Sequence, residues 1–247
     1  MIAVLLPGMD GTGTLFEPFV KELPRHVQAV RVSYPACVHL SYGQLADRVR
    51  GELPASRPYL IVAESYSGPV AVHLAAHPVG DLRAVVLLAS FVSHPLSYWG
   101  PLVARLPWAL VFRVRPPRWV LRWLLMDPAT PPETVSAVRE AIGKVRPVVL
   151  AARMREALRV DCTQAALACP VLVVCLIPDR DRLLGRHTAR ALRGVSQRIE
   201  VVTVRAPHLL LQCAPRAAVA AMSQLGLLDE AGAARRIWAH NGSRPGI

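Results

Sequence analysis

Short apolar runs alternate with amphipathic stretches along most of this chain. The apolar runs predict strands near residues 2–6, 28–33, 59–63, 84–88, 171–176 and 199–204. Patterns that favour helices lie between them, near residues 41–53, 66–77, 186–193 and 214–226. Runs without polar interruption are typical of parallel strands that are buried on both faces. The alternation therefore predicts an α/β fold, with a doubly wound, mostly parallel sheet of about six strands and right-handed crossovers.

One long interval departs from this alternation. Residues 91–168 lie between two predicted strands and are rich in proline, tryptophan and arginine. Their pattern predicts several short helices rather than further strands. We therefore expect a helical insertion at this point of the sheet.

The size and composition of the chain agree with one domain. A chain of 247 residues can bury a full core. Its hydrophobic content is 53% and its mean hydropathy is +0.32, values that favour a sheet covered on both faces. We expect a single domain over residues 1–228 and a flexible C-terminal tail over residues 229–247, which are mostly small and polar.

The strand predicted at residues 59–63 leads into the most informative segment. Its apolar run ends in Ala-Glu-Ser-Tyr-Ser-Gly at residues 63–68, and a stretch that favours a helix follows. A serine at a sharp turn from strand to helix is typical of a nucleophile elbow, which projects the hydroxyl above the edge of the sheet. Small residues are needed two positions before and after the serine, because the two backbones pass close together there. Ala63 and Ser67 meet that need, so Ser65 is the candidate nucleophile.

The first predicted strand runs directly into a glycine-rich segment, Pro-Gly-Met-Asp-Gly-Thr-Gly at residues 7–13. Glycines allow the backbone to turn tightly and to direct amide N–H groups into a cavity. An enzyme that transfers acyl groups needs two such donors for its tetrahedral oxyanion, and we assign this oxyanion hole to the amides of Met9 and Tyr66. A phosphate-binding loop is one alternative, but no Gly-Lys-Ser/Thr follows and the glycines lack the Gly-x-Gly-x-x-Gly spacing. An ordinary glycine-rich turn is another.

A histidine follows the last predicted strand. His208 lies in the loop just after residues 199–204, where a general base can reach a serine at the same edge of the sheet. His94 also follows a strand end, where it could line the pocket. His73 and His77 lie one turn apart on the helix after the elbow, which is typical of surface or packing residues. We therefore assign His208 as the base.

The strand at residues 171–176 leads to two candidate acids, Asp179 and Asp181. A carboxylate beside the histidine orients the imidazole and stabilises its charged form. We favour Asp181, because two apolar residues close behind it place it at the end of the loop, and Asp179 is the alternative. The order Ser65, Asp181, His208 along the chain is that of α/β-hydrolases and differs from the orders in chymotrypsin and subtilisin.

Three motifs together resemble the α/β-hydrolase superfamily, in a bacterial branch of esterases, lipases and thioesterases. They are Leu-Pro-Gly-Met-Asp-Gly-Thr-Gly at residues 6–13, Ala-Glu-Ser-Tyr-Ser-Gly-Pro at residues 63–69 and Ala-Pro-His-Leu-Leu-Leu-Gln at residues 206–212. The resemblance covers about residues 1–226. The chain departs from the family in two places: Pro7 stands where many members have histidine, and Ala63 replaces the first glycine of the elbow.

This resemblance implies Ser65 as nucleophile, His208 as base and Asp181 as acid, with the oxyanion hole already named. It also implies that the insertion at residues 91–168 is a cap domain, which covers the pocket, excludes water and selects the substrate. The insertion contains Trp99, Trp108, Trp119 and Trp123, together with Phe112 and Met126. We expect most of them to pack the cap onto the core and one or two to line an apolar acyl pocket.

These assignments predict a serine esterase or thioesterase, a hydrolase that forms an acyl-enzyme on a Ser-His-Asp catalytic triad. Such chemistry needs no metal and no organic cofactor. The expected substrate is a small acyl ester or thioester with an apolar acyl group. An acyltransferase with the same acyl-enzyme is the alternative. A non-catalytic binding protein on the same fold is less favoured, because it has no need of all three groups.

The formal net charge of +12 comes almost wholly from arginine, because Lys21 and Lys144 are the only lysines. A GC-rich genome explains this bias, and no basic module typical of nucleic-acid binding is visible. The stretch from Arg105 to Arg122 mixes arginines with Trp, Leu and Val. It suits either an anionic membrane surface or the solvated face of a cap, and we favour the cap because such charge patterns usually mark an exposed helix face.

The five cysteines show no paired or metal-ligand spacing. Their odd number and the lack of a signal peptide predict a reducing, cytoplasmic location. No uncharged apolar run reaches the length of a membrane span, so we expect no stable membrane insertion.

Overall fold

The structure, a computed structural model, describes residues 1–95, 100–196 and 198–229. Its strands are β1 (Ile2–Leu6), β2 (Gln28–Arg31), β3 (Tyr59–Glu64), β4 (Leu82–Leu88), β5 (Leu172–Pro178) and β6 (Ile199–Val204). They form one sheet in the order β2-β1-β3-β4-β5-β6, and every neighbouring pair is parallel. The predicted parallel sheet of six strands is confirmed.

The strand ends differ from the predicted ends by a few residues. β4 begins at Leu82, which pairs with Tyr59 across a register shift, and β5 continues to Pro178, which pairs with Val204. β2 lies at the edge of the sheet and ends at Arg31. Pairing with a neighbouring strand sets these ends, and local hydrophobicity does not encode that pairing.

Helices cover both faces of the sheet. They are α1 (Glu17–Glu22), α2 (Tyr42–Arg50), α3 (Gly68–Ala76), α4 (Gly100–Val103), α5 (Trp108–Val111), α6 (Arg118–Leu125), α7 (Pro132–Gly143), α8 (Pro147–Ala157), α9 (Thr163–Ala168), α10 (Gly185–Val195), α11 (Leu210–Cys213) and α12 (Pro215–Gln224). Side chains of α2, α3, α9 and α10 belong to the apolar cluster on one face, and those of α1, α11 and α12 to the cluster on the other. The sheet is therefore doubly wound.

The side chains of β1 show how both faces become apolar. Ile2, Val4 and Leu6 belong to one cluster, whereas Ala3 and Leu5 belong to the other. Successive side chains of a strand point to opposite faces, so a strand covered on both sides is apolar at every position. This burial is the physical origin of the uninterrupted apolar runs in the sequence.

The order of the strands reverses at β1. The chain passes outward from β1 to β2 and then returns to β3 on the other side of β1. The loops that follow β1 and β3 therefore diverge, which leaves a crevice at the carboxyl edge of the sheet where such folds bind ligands. The loops after β5 and β6 lie at the same edge, because all six strands run in one direction.

Two helical features differ from the prediction. The helix predicted over residues 214–226 is α12, and a short helix that the pattern does not predict, α11, precedes it and is separated from it at Ala214 (φ −141°, ψ 52°). Pro215 causes this break, because a proline disfavours the helical conformation at the residue before it. A short 3-10 turn (Thr14–Phe16) and α1 follow the glycine-rich loop, where the apolar pattern predicts no helix.

The described part of the interval between β4 and β5 forms the six helices α4 to α9, as its pattern predicts. We call residues 100–168 the insertion. Trp99 lies outside the described residues, as does the predicted tail beyond Asp229. None of the helices in the described ranges is long and apolar enough to cross a membrane.

Candidate active site

β3 ends in a turn that holds Ser65 in an uncommon backbone conformation. The φ of Ser65 is 47°, in the left-handed region, and a 3-10 turn (Ser65–Ser67) leads from it into α3. Gly68 makes this turn feasible, because a Cβ atom there would lie 2.1 Å from Ser90 Oγ and 2.6 Å from the Phe91 carbonyl oxygen. The helix predicted over residues 66–77 therefore begins with the tight turn that an elbow requires.

Ser65 is the first of three side chains that are joined by hydrogen bonds. Its hydroxyl donates to His208 Nε2 over 3.0 Å, and His208 Nδ1 donates to Asp181 Oδ2 over 2.8 Å. The side chains of His208 and Asp181 are each 3% exposed, so water hardly screens their interaction. The three candidates lie in the turn after β3, the loop after β6 and the loop after β5. The fold thus brings them together at the carboxyl edge.

Asp181 is also held by its own loop. Its Oδ1 accepts hydrogen bonds from the amides of Leu183 over 2.8 Å and Leu184 over 3.0 Å. Burial raises the pKa of this carboxyl, but the hydrogen bond and charge of His208 and the two amides outweigh burial, and the pKa lies below its ordinary value. Asp181 is therefore an anion that faces the imidazole.

Asp179, the alternative acid, has other partners. Its Oδ1 accepts from the Ala206 amide over 3.0 Å and lies 3.6 Å from Arg180 Nε. Its side chain is 41% exposed. These contacts tie the loop before His208 to the end of β5, so Asp179 connects two loops whereas Asp181 contacts the imidazole.

The glycine-rich loop after β1 contains a tight turn. The Gly11 amide donates to the Gly8 carbonyl over 3.0 Å, and the φ of Gly11 is 68°. In a trans peptide unit the N–H points opposite to the C=O. Because the Gly8 carbonyl points toward Gly11, the Met9 amide in the same peptide unit points out of the turn.

This loop is bonded to the elbow. β1 pairs with β3 so that Leu6 lies opposite Ala63. Ser67 Oγ donates to the Pro7 carbonyl, and the Tyr34 hydroxyl donates to the same Oγ over 2.6 Å. The backbone segments that carry the Met9 and Tyr66 amides are therefore fixed relative to each other.

An arginine of the insertion, which the sequence pattern does not single out, supports the same loop. Arg153 of α8 is 1% exposed, donates from Nη1 to the Met9 carbonyl over 2.7 Å and donates from Nη2 to the Pro35 carbonyl over 2.9 Å. Its guanidinium lies 5.8 and 5.9 Å from the ring centroids of Tyr34 and Tyr66. The planar fork of an arginine is suited to two carbonyl groups at once.

The position of Arg153 in α8 is a signal for this role. Val149, Arg153 and Ala157 are spaced four residues apart, so they share one helix face, and all three are buried. A charged residue on an apolar face requires partners, because a buried charge without them is costly.

Glu64, which precedes Ser65, is a buried acid at 3% exposure. Its Oε2 accepts from Gln212 Nε2 over 3.3 Å, and its Oε1 has no hydrogen-bond partner among the described residues. A Cβ atom on Gly8 would lie 3.7 Å from both Glu64 Oε2 and Asp10 Oδ1, so two acids flank the glycine-rich loop. Burial, together with the charge of Asp10, raises the pKa of Glu64 to about 8. Glu64 is therefore mostly protonated at neutral pH.

Two apolar clusters connect the insertion to these loops. One cluster joins Leu121 of α6 with Leu209, the neighbour of His208, and the Leu209 amide donates to the Leu125 carbonyl over 3.0 Å. The other cluster includes both Phe112 and Met9. The insertion thus contacts the loop after β1 and the loop after β6.

The tryptophans of the insertion differ in their environment. Trp108 is half-buried, donates from Nε1 to the Val103 carbonyl over 2.9 Å and lies 6.0 Å from the Phe112 ring. Trp119 and Trp123 are 72% and 61% exposed. These two side chains face solvent, so of the described tryptophans of the insertion only Trp108 is partly buried.

The remaining candidate residues lie apart from this arrangement. His94 is exposed, and His73 Nε2 lies 3.3 Å from Cys162 Sγ, where burial lowers the pKa of the histidine. Within the described ranges no group of three or more His, Cys, Asp or Glu side chains is arranged to hold a metal ion.

Comparisons with solved structures identify the architecture. A thermophilic esterase from Thermogutta terrifontis, solved with malate bound, superposes with a TM-score of 0.76 over 92% of this chain and 90% of its own, at 19% sequence identity. An enol-lactonase from Burkholderia xenovorans LB400 superposes with a TM-score of 0.72 over 93% and 91%, at 17% identity. The chain has the α/β-hydrolase fold.

A third protein with the α/β-hydrolase fold, an esterase from Rhodococcus sp. ECU1013, has a TM-score of 0.70 over 94% of this chain and 91% of its own, at 16% identity. No protein-family model matches the sequence, and no curated protein matches it either. The similarity is therefore one of backbone architecture rather than of sequence.

The fold accommodates Pro7 and Ala63, the two residues that depart from the motifs of α/β-hydrolases. Pro7 contributes only its backbone carbonyl, which accepts the hydrogen bond from Ser67. Ala63 is fully buried and pairs with Leu6 on one side and Leu87 on the other. Neither position carries a side chain that takes part in the chain of hydrogen bonds from Ser65 to Asp181.

Proposed function

We propose that the protein is a serine hydrolase that cleaves a carboxylic ester or thioester through an acyl-enzyme. The observation that carries this proposal is the continuous hydrogen bonding from Asp181 through His208 to Ser65, over 2.8 and 3.0 Å. A serine hydroxyl is a weak nucleophile until a base accepts its proton, and a third group must orient that base. A binding protein has no need of all three groups.

In the first half of the reaction, Ser65 Oγ attacks the acyl carbonyl while its proton passes to His208 Nε2. Asp181, an anion at neutral pH, stabilises the imidazolium that results. The oxyanion of the tetrahedral intermediate accepts hydrogen bonds from the amides of Met9 and Tyr66. The imidazolium then donates its proton to the departing oxygen or sulfur, and the acyl group remains on Ser65.

In the second half, water takes the position that the leaving group has vacated. His208 Nε2 accepts a proton from the water as its oxygen attacks the acyl carbon. The tetrahedral intermediate then collapses, the bond to Ser65 Oγ breaks, and the serine recovers its proton from the imidazolium. The products are one carboxylic acid and one alcohol or thiol.

The comparisons and the insertion support the choice of substrate. The solved structures with this fold include proteins named as esterases and an enol-lactonase, and a lactone is a cyclic ester. We propose that the insertion is a cap, because its clusters contact both Met9 and Leu209. Phe112 and Trp108 make the proposed pocket apolar, so the acyl group is apolar as well.

The proposed location is the cytoplasm. All five cysteines are free. A reducing compartment keeps such thiols reduced.

The experiment that tests the activity is labelling with a fluorophosphonate, which reacts with an activated serine. The wild-type chain should be labelled, whereas Ser65→Ala and His208→Ala should not. Ser223→Ala, which removes an exposed hydroxyl of α12, is the matched control and should be labelled like the wild type. Labelling that persists in Ser65→Ala would disprove the assignment.

An assay with graded p-nitrophenyl esters and acyl-CoA thioesters then identifies the leaving group. Added alcohol tests the alternative of acyl transfer, because an acyl-enzyme passes its acyl group to whichever acceptor reaches it. If the yield of new ester exceeds the yield of free acid when only dilute alcohol is present in water, the protein is an acyltransferase.

A further inference from the structure

The outer surface of the insertion exposes an unusual number of large apolar side chains. Of the ten such side chains that are exposed in the described part of the chain, seven lie between residues 102 and 123. They are Leu102, Leu106, Leu110, Val111, Val114, Trp119 and Trp123. Contiguous exposed apolar groups on a protein surface mark a site of interaction rather than a contribution to stability.

Every charged residue in the same stretch is basic. Residues 82–126 contain no Asp or Glu, and residues 105–122 contain five arginines. They are Arg105, Arg113, Arg115, Arg118 and Arg122. A sixth arginine, Arg182 from the loop after β5, lies 5.6 Å from the centroid of the Trp123 ring. We call the seven exposed apolar side chains and the five arginines of residues 102–123 the Arg/Trp surface; Arg182 is not included in the name.

The exposed apolar side chains do not contribute to the packing of the insertion, because other residues of the same helices form its inner face. In α6 the inner face is supplied by Leu121, which is 4% exposed, while Trp119 and Trp123 lie one turn apart on the outer face. After α5, Phe112 packs inward against Val149 and its neighbours. A solvated cap face would place polar residues at these outer positions, so the exposed tryptophans argue against that interpretation of the sequence.

The helices α5 and α6, which carry part of the surface, each pack on another helix of the insertion. α5 packs on α8 and α6 packs on α7. Ile142 of α7 contacts both the cluster that contains Leu121 and the cluster that receives Phe112. The inner sides of α5 and α6 are therefore linked through Ile142 of α7.

We propose that the Arg/Trp surface binds an anionic lipid bilayer and lies in its interface. Tryptophan favours the boundary between headgroups and acyl chains, where leucine and valine side chains enter the apolar layer. Arginine keeps its guanidinium among the lipid phosphates while its stem covers apolar surface. A second copy of the chain fits less well, because a twofold contact would set the arginines of one surface against those of the other.

This binding would orient the proposed active site. The Leu125 carbonyl at the end of α6 accepts the Leu209 amide, and Leu209 adjoins His208. A bilayer against the outer faces of α5 and α6 would therefore lie across the insertion from the loop of His208, to which the inner face of α6 is linked. The binding itself does not depend on the hydrolase activity.

Flotation of the full chain with vesicles tests the proposal. The chain should float with vesicles that contain anionic phosphatidylglycerol and should remain behind with vesicles of pure phosphatidylcholine. Added salt should release it, because screening weakens the attraction between arginine and phosphate. Each arginine near an anionic surface contributes about fivefold in the partition coefficient, the equivalent of about 1 kcal/mol.

Paired variants separate the two components of the surface. Trp119→Ser with Trp123→Ser should weaken partitioning about tenfold or more, since both rings leave water on binding. Arg105→Gln with Arg113→Gln should weaken it by about 25-fold and reduce the salt dependence. Matched controls are Val148→Ser with Leu167→Ser and Arg48→Gln with Arg159→Gln, which make the same changes at exposed positions elsewhere. All variants alter exposed side chains, and thermal unfolding verifies that each one folds.

Three results would overturn the proposal. One is an absence of flotation with anionic vesicles by the folded wild-type chain. Another is a lack of specificity, seen either as equal flotation with anionic and neutral vesicles or as an equal loss of flotation in the control pairs. The third is a dimer in solution that dissociates in Trp119→Ser/Trp123→Ser and does not bind vesicles, which would assign the surface to a second copy.

Discussion

Arg153 Nη1 lies 2.7 Å from the carbonyl oxygen of Met9, so a side chain of the insertion is bonded to the loop that carries a proposed oxyanion donor. The Gly8 carbonyl on one side of Met9 accepts the Gly11 amide, and the Met9 carbonyl on the other side accepts the guanidinium. Both peptide units around the Met9 amide are thereby fixed. Arg153 is a positioning residue in the proposed mechanism.

Arg153→Met should lower kcat by on the order of 100-fold and change KM little. An oxyanion donor acts mainly in the transition state, so its displacement reduces the rate rather than substrate binding. Arg153→Lys should recover only part of the loss, because a single ammonium group does not match the fork that serves Met9 and Pro35. Arg155→Met, at a half-buried position of the same helix, is the control. Steady-state kinetics well below the unfolding temperature measure the effect, and a change confined to KM would contradict it.

Asp181→Asn should cost on the order of 10⁴-fold in kcat, because an amide at this position can hold the wrong tautomer of His208. Asp179→Asn should cost about tenfold or less, since the amide oxygen of asparagine still accepts the hydrogen bond from Ala206. Initial rates with one activated ester compare the two variants. The opposite ranking would transfer the role of the acid to Asp179.

Glu64→Gln should change how stability depends on pH. In the unfolded chain this carboxyl loses its proton near its ordinary pKa of 4.5, whereas in the fold it keeps the proton up to about pH 8. The folded state binds more protons in this interval, so the stability of the wild type falls as the pH rises from about 4.5 to about 8.

The variant lacks this titration. The difference between the unfolding free energies of the variant and the wild type should therefore shift in favour of the variant by a few kcal/mol as the pH rises from about 4.5 to about 8. Urea denaturation at a series of pH values measures the difference. Glu52→Gln, which changes an exposed acid, should give a nearly constant difference, and the same constancy in Glu64→Gln would show that Glu64 is ionised in the fold.

The proposed acyl pocket should favour longer acyl chains until it is full. Each methylene buried there is worth about 0.8 kcal/mol, or roughly fourfold in kcat/KM. Phe112→Ala should shift the preferred chain length, because Phe112 packs in the same cluster as Met9. Trp119→Ala is the control, since that side chain is 72% exposed. A flat response from acetate to octanoate in the wild type would remove the pocket from the proposal.

The strands and the turn at Ser65 could be predicted from the sequence because their causes are local. Ile2 to Leu6 is apolar at every position since both faces of β1 are covered, and Gly68 is required by the nearby Ser90. The start of α12 is also encoded locally, in Pro215, and the helix predicted over residues 214–226 corresponds to it. The four residues of α11 before it are too few to show a helical period, so the sequence does not predict that helix.

The supports of the site could not be predicted, because their partners are distant in sequence. Arg153 is 144 residues from Met9, and Gln212 is 148 residues from Glu64. Nothing in the local pattern indicates which carbonyl a buried guanidinium will meet. The sequence suggests only that a charged residue on an apolar helix face has a partner somewhere.

Helix α8 has a further consequence through a second contact with the elbow. Glu156, one turn after Arg153, accepts the hydroxyl hydrogen of Tyr66 over 2.9 Å. The helical insertion is consequently not a module that can be exchanged freely between relatives of this fold. A chimera that replaces residues 100–168 has to reproduce the contacts of Arg153 with Met9 and of Glu156 with Tyr66. Without them, a graft meant to change substrate selectivity would also alter the geometry around Ser65.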